Sequence, residues 1–188
     1  GTHGEAEIIT AKINRKTRIQ TLVPNSLDSF PWAGHLGLTM LPELLESLDR
    51  ETSTLIFTNT RSQCERWYQA LKEACPEMDD QLALHHSSID RADREAIESR
   101  VKEGSLKWVV CTSSLDLGID FHPVERVVQI GSAKAVARLL QRAGRSAHYP
   151  EGRSEILFVP TNSLELAEIS AIRRVLKDGG LEKRLPQQ

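Results

Sequence analysis

A chain of 188 residues is long enough for one ordinary domain with a buried core and short for two. Hydrophobic residues make up 39% and charged residues 27%, nothing resembles a signal peptide, and no apolar run approaches the roughly 20 residues of a membrane helix. The net charge of −2, from 24 basic and 26 acidic side chains, by itself predicts no nucleic-acid partner; one that did bind would have to be held by local loops rather than by a basic face.

In chain order, Gly1-Thr2-His3-Gly4 carries no fold information, and Ala6–Ile13 and Thr17–Val23 flank a polar turn as a hairpin would. Pro24 to Leu38, with two prolines and Trp32, reads as an irregular, partly buried connection. Leu36–Leu48 has helical spacing, with Pro42 starting a new turn inside it. Thr54–Thr58 is a short apolar strand. The next helix puts Cys64, Trp67, Tyr68, Leu71 and Ala74 on one stripe. Gln81–His86 reads as a strand, Asp90–Lys102 as a charged helix, and Lys107–Thr112 and Glu125–Ile130 as β-branched strands. Ala133–Ala143 is a helix, Ser154–Val159 a strand and Ser163–Lys177 the final helix. Strands alternating with helices of this length predict an α/β fold with a mainly parallel sheet covered on both faces. Residues 1–50 would form a hairpin, linker and first helix packed on a lobe of residues 51–188. Ligands of such sheets bind at the carboxyl edge, after Thr58, His86, Thr112, Ile130 and Val159. Cys64, Cys75 and Cys111 are odd in number and contain no CxxC pair, which argues against a disulfide framework or metal site and for a reducing compartment.

Two segments carry chemistry. On a helical wheel Val136, Leu139, Leu140 and Ala143 form one stripe, and Arg138, Gln141, Arg142 and Arg145 form another nearly opposite. Such a row is either a solvated face or a phosphate grip, for which guanidinium forks suit better than ammonium groups. Val109 to Phe121 reads as a buried strand delivering Thr112, Ser113 and Ser114, then a loop with Asp116, Gly118 and Asp120. Hydroxyls and backbone N–H groups at a strand end grip phosphate oxygens without net charge, and a carboxylate beyond them suits a ribose; ordinary turn roles are the alternative. His85 and His86 alternate sides of a strand, so one should face the core and only the other should reach the loop edge.

Together these segments resemble superfamily 2 helicases. Thr112–Asp120 is similar to the family's motif V, Gln141–Ser146 to motif VI, Ile56–Arg61 to motif IV, and His85-His86-Ser87-Ser88 sits where members carry a nucleic-acid-contacting loop. Phe30–His35, Arg61–Tyr68, Ser113–Gly118 and Val136–Leu140 resemble the Lhr group and, within it, the ligase-associated DEXH-box helicases. Ala147-His148 after Ser146 departs from the Gly-Arg or Gly-His of many relatives. No GxxxxGK[ST] loop and no DExH or DExD tetrad occurs.

The resemblance implies a second RecA-like lobe, with ATP and Mg2+ bound mainly by a first lobe of the same polypeptide. Gly118 and Asp120 would contact the ribose side, Arg142 and Arg145 the phosphates, and Gln141 would help close the cleft, with Arg145 as arginine finger. Asn59, Arg61, His86, Ser87, Ser88, Thr112 and Ser113 would touch single-stranded DNA. The family further implies 3′-to-5′ translocation, duplex unwinding, a role in DNA repair beside a ligase and a nuclease, and a bacterial cytoplasmic, nucleoid-associated location. Two other classes stay open: a non-catalytic nucleic-acid-binding module on the same fold, and a flavodoxin-like or methyltransferase-like enzyme. The latter would want a glycine-rich first turn, and Asn59-Thr60-Arg61 has none.

Overall fold

A computed structural model describes residues 17–26, 30–34, 36–116, 124–146 and 154–177. Among the described residues, six strands form one sheet: β1 (Thr17–Thr21), β2 (Thr54–Phe57), β3 (Leu82–His85), β4 (Trp108–Cys111), β5 (Arg126–Ile130) and β6 (Ser154–Val159). Their order is β1-β6-β5-β2-β4-β3, and every pair is parallel. Five α-helices among the described residues accompany them: α1 (Leu41–Ser47), α2 (Arg61–Ala74), α3 (Arg91–Lys102), α4 (Val136–Ala143) and α5 (Ser163–Lys177).

The strands are apolar on both faces because both faces are covered. Leu55, Phe57, Val109, Cys111, Val127, Ile156 and Phe158 pack against Ile97 and Val101 of α3, Leu139 and Ala143 of α4, and Ile169 and Ile172 of α5. The alternate positions Ile56, Val110, Val128, Ile130 and Leu157 pack against Met40 and Leu44 around α1 and Cys64, Trp67 and Leu71 of α2. This is the three-layer architecture that the alternating pattern predicts. The connections after β2 and after its neighbour β5 leave in opposite directions, which opens the sheet's carboxyl edge between these two strands.

Several elements differ from expectation in identifiable ways. β1 does not stand apart: it forms the sheet's edge beside β6, pairing Thr17 with Ser154 through to Thr21 with Phe158. Its expected hairpin partner Ala6–Ile13 lies outside the described residues. The Leu36–Leu48 segment is a 3-10 turn, Leu38–Met40, followed by α1, with Pro42 in the first turn where a missing N–H costs nothing. Pro76–Gln81 is a further 3-10 turn that periodicity did not reveal. Helix α4 begins at Val136 rather than Ala133 because Lys134 takes a left-handed φ of 67°. On α2, Ala74 is exposed, so the buried stripe ends at Leu71.

In the 24–38 connection Phe30 is buried, but Trp32 is 78% exposed. The segment is nevertheless tied down. Ser163 N donates to Pro31 O (2.8 Å), Asn162 Nδ2 to Gly34 O (2.9 Å) and Trp67 Nε1 to Leu36 O (2.6 Å). Gly37 has φ 69°, and a Cβ there would stand 2.7 Å from Thr161 Cγ2, so this close approach requires glycine.

Candidate functional site

The site grows from three strand ends laced together at the carboxyl edge. Thr58 N donates to Cys111 O at 2.8 Å, and Thr112 N donates to His85 O at 3.2 Å. Beyond β2, Thr60 caps α2 by accepting from Gln63 N at 3.1 Å, while Gln63 Oε1 accepts from Asn59 N at 2.9 Å. Thr60-x-x-Gln63 is the sequence pattern of a capping box, except that Gln63 reaches one residue past the cap, to Asn59. It holds Asn59 and Arg61 outward at the helix start, and both are exposed. Arg61 Nη1 donates to Ser88 Oγ, which joins this loop to the one after β3. Ser87 and Ser88 are exposed there.

His86 does not share that exposure. It is buried, its Nε2 lies 3.3 Å from Glu65 Oε1, and its Nδ1 accepts from Ser88 N at 3.3 Å. His85 is buried too, between Ser114 Oγ (2.8 Å from Nδ1) and Glu98 Oε1 (3.2 Å from Nε2). The expectation that only one histidine is interior is thus corrected: β3 ends at His85, and Glu65 of α2 covers the next residue. Burial holds the His85 pKa below its ordinary value, against the upward pull of Glu98. A neutral buried histidine gives stability that is fully present above the unfolded value of about 6.5 and is lost as pH falls below it. The thermal midpoint should therefore fall on acidification below that value, and His85→Gln should flatten this slope. Identical slopes in the two proteins over pH 5–7.5 would refute the assignment.

The loop after β4 makes a 3-10 turn, Ser113–Leu115, anchored by buried Leu115. Of its three consecutive hydroxyls, Thr112 is half-buried and Ser113 exposed, whereas Ser114 donates to His85 O at 3.2 Å and is spent on the fold. Asp116 follows, nearly buried. Gly118 and Asp120 lie outside the described residues.

Helix α4 brings its arginines onto this turn. Arg142 is 1% exposed, so the expectation of one outward basic row is corrected. Its Nε donates to Asp116 Oδ1 (2.7 Å) and its Nη2 to Asp116 Oδ2 (3.2 Å), while Nη1 donates to Gln129 Oε1. Its guanidinium carbon stands 4.6 Å from the centroid of the Phe57 ring. The carboxylate fork, the amide oxygen and the ring face together offset the cost of burying the cation. Arg145, half-buried one turn on, donates from Nη2 to the backbone carbonyl of Asp116 at 2.7 Å. Arg138, half exposed, has Nε 3.9 Å from Asp116 Oδ2. Gln141 is exposed. Ser146 fixes the helix end: its one hydroxyl proton lies between Ala143 O (2.7 Å) and Glu155 O (2.8 Å), and its Oγ accepts from Glu155 N at 3.0 Å.

The structure thus gathers the predicted residues into two neighbouring groups. Asn59, Arg61, Ser87 and Ser88 form one outward group. Thr112, Ser113, Arg142 and Arg145 meet around the turn at Asp116. Sequence reasoning missed Gln129, Glu98 and Glu65, whose roles depend on partners 13 to 21 positions away. Among the described residues, no group of three or more His, Cys, Asp or Glu side chains could hold a metal ion.

A parallel sheet carrying hydroxyls after one strand, and arginines in the segment after the next, fits a RecA-like lobe. Residues 37–149 match the family model described as the helicase conserved C-terminal domain, and the chain belongs to that family, in its superfamily 2, Lhr-type branch. It is 33% identical over 182 residues to the ATP-dependent helicase Lhr-Core of Sulfolobus acidocaldarius, covering 95% of this chain and 21% of that protein. It is 38% identical over 149 residues to the Lhr-Core helicase of Methanothermobacter thermautotrophicus, covering 78% of this chain and 17% of that protein. The chain therefore spans about a fifth of these relatives' length. Among solved structures it resembles the helicase Lhr of Mycobacterium smegmatis bound to ssDNA and AMP-PNP, at 27% identity and a TM-score of 0.72, over 89% of this chain and 22% of that one.

Proposed function

We propose that this chain is the second motor lobe of an ATP-dependent DNA helicase, closing on a first lobe that brings the phosphate loop and the metal-holding carboxylates. The observation that carries the reading is the meeting of Arg145 with the Thr112–Asp116 turn at the carboxyl edge. ATP binds in the cleft between the lobes, with Arg145 and Gln141 toward its phosphates and Gly118 and Asp120 toward its ribose. Mg2+, when bound with ATP, supplies charge neutralisation at the β and γ phosphates and is held by the first lobe. Single-stranded DNA lies across Asn59, Arg61, Ser87, Ser88, Thr112 and Ser113. His86, turned inward, shapes its loop through Ser88 N. Contacts made largely by hydroxyls fit a chain of net charge −2. The resemblance to solved Lhr bound to ssDNA and AMP-PNP supports both ligands. The same reading includes 3′-to-5′ travel and work in bacterial DNA repair beside a ligase and a nuclease, at the nucleoid.

Tailed duplexes test it in the full-length protein. A duplex with a 3′ single-stranded tail should be unwound with ATP, and one with only a 5′ tail should not. Thr112→Val preserves side-chain shape and should weaken ssDNA binding by about 3- to 10-fold, the loss of roughly one hydrogen bond, while sparing ATP binding. Binding of ssDNA without any ATP-dependent unwinding would favour a non-catalytic module instead. Unwinding from the 5′ tail alone would reverse the polarity.

A further inference from the structure

Asp116 stands where Arg138 and Arg142 of α4 meet Arg145, two residues beyond the helix. Its carboxylate takes Arg142 through both oxygens, at 2.7 and 3.2 Å, and lies 3.9 Å from Arg138 Nε. Its backbone carbonyl takes Arg145 Nη2 at 2.7 Å. Its backbone N–H in turn donates to Ser113 O at 3.1 Å, so the same residue closes the 3-10 turn that follows Thr112. Arg142 leaves no room to swing, because Gln129 and the Phe57 ring hold its other sides. Gln129 is fixed in its own right, donating from Nε2 to Ile130 O and Gly131 O at 3.0 Å each. Arg142 is therefore a bolt between α4 and the turn after β4, and Arg145 is presented three residues beyond that bolt, with its own N–H bonded to Arg142 O at 2.9 Å.

We propose that Asp116 is a positioning residue for Arg145: its carboxylate bolts Arg142 to the turn that presents Thr112 and Ser113, and its carbonyl holds the Arg145 guanidinium at the edge of the nucleotide cleft. The proposal rests on reading Arg145 as the arginine finger. A misplacement of about 1 Å in a group that must meet developing charge is enough to cost up to about 10²-fold in turnover, so a rigid mount matters. Because Thr112 and Ser113 lie on the same short turn, a shift of that turn on nucleic-acid binding moves the mount of Arg145 directly.

Asp116→Asn in the full-length protein is the test. The amide keeps the size and the backbone carbonyl of Asp116, but it sets an NH2 against the Nη2 or Nε of Arg142, where only an acceptor fits. Single-turnover phosphate release with ssDNA present is compared among wild type, Asp116→Asn, Arg145→Ala and the double variant. Folded protein is counted by stoichiometric titration with a nonhydrolysable ATP analogue, well below the thermal midpoint. Asp116→Asn should slow release by at least about 10-fold per titrated site, with the affinity for the analogue changed by less than about 3-fold. In the Arg145→Ala background it should add nothing beyond about 2-fold, since it acts through Arg145. Normal release per titrated site would overturn the proposal, showing that Asp116 serves the fold alone, and so would a further full loss in the double variant. If Arg145→Ala itself leaves release unchanged, the finger reading fails and this inference falls with it. If Arg145→Ala slows release while Asp116→Asn does not, only this inference fails. Should Asp116→Asn not accumulate as folded protein, Arg142→Lys carries the same cycle, because a lysine cannot grip both carboxylate oxygens and Gln129 together.

Discussion

Replacing Arg145 by alanine in the full-length protein is expected to lower DNA-stimulated ATP hydrolysis by at least about 10²-fold, at the cautious side of what an arginine finger supplies. The loss should fall on turnover rather than on nucleotide affinity, because in the proposed site the guanidinium would meet charge that develops only as the γ phosphate leaves. In the structure Arg145 is half-buried and its Nη2 donates to the backbone carbonyl of Asp116, so circular dichroism and the thermal midpoint of the variant are read beside its activity. Binding of ssDNA should survive, since Thr112, Ser113, Asn59, Arg61, Ser87 and Ser88 are separate side chains on other loops. Steady-state phosphate release and fluorescence anisotropy of labelled ssDNA, on the same preparations, decide it. Normal hydrolysis with lost DNA binding would mean that the arginines of α4 form a nucleic-acid surface and that the two groups have been assigned backwards.

The sheet and its helices were legible because their pattern is local. Strands such as Trp108–Cys111 are short, apolar and buried on both faces, and β6 and α5 occupy the ranges that the sequence gives them. The edges of elements were less legible, for physical reasons. Lys134 takes a left-handed turn that no propensity marks, so α4 starts three residues late. The two histidines misled for a related reason: alternation predicts opposite faces, but β3 stops at His85, and the chain turns His86 onto α2. The site was legible as motifs and not as contacts. A helical wheel puts Arg142 with Arg138, Gln141 and Arg145, because it scores polarity and cannot see a carboxylate 26 positions earlier in the chain. Once Asp116 and Gln129 are in place, the side chain reads as core. Similarly Ser114 looks equivalent to Thr112 and Ser113 in sequence, and only its hydrogen bonds to His85 separate it from them.

That buried arginine leads to the largest effect expected on stability. Arg142→Ala removes a guanidinium that satisfies both oxygens of Asp116 and the amide oxygen of Gln129, and it empties space beside Phe57. Asp116 is then left as a nearly buried carboxylate facing Arg138 Nε at 3.9 Å, too far for a good hydrogen bond. Breaking a buried pair from one side typically costs about 3–5 kcal/mol, a large part of the stability of a domain this size. Replacing both members by apolar groups of similar volume, Asp116→Leu with Arg142→Met, removes the stranded charge along with its partner. That double variant should recover to within about 2 kcal/mol of the parent. Urea unfolding reads both, provided the slope m stays constant so that midpoints compare directly. A cost below about 1 kcal/mol for Arg142→Ala would mean that water already screens the pair. A double variant as unstable as the single one would mean that Arg142 stabilises through its packing on Phe57 rather than through its charge. If the double variant regains its stability, the carboxylate at position 116 adds little to the net stability of the fold, and what it supplies is the placement of the helix end from which Arg145 follows.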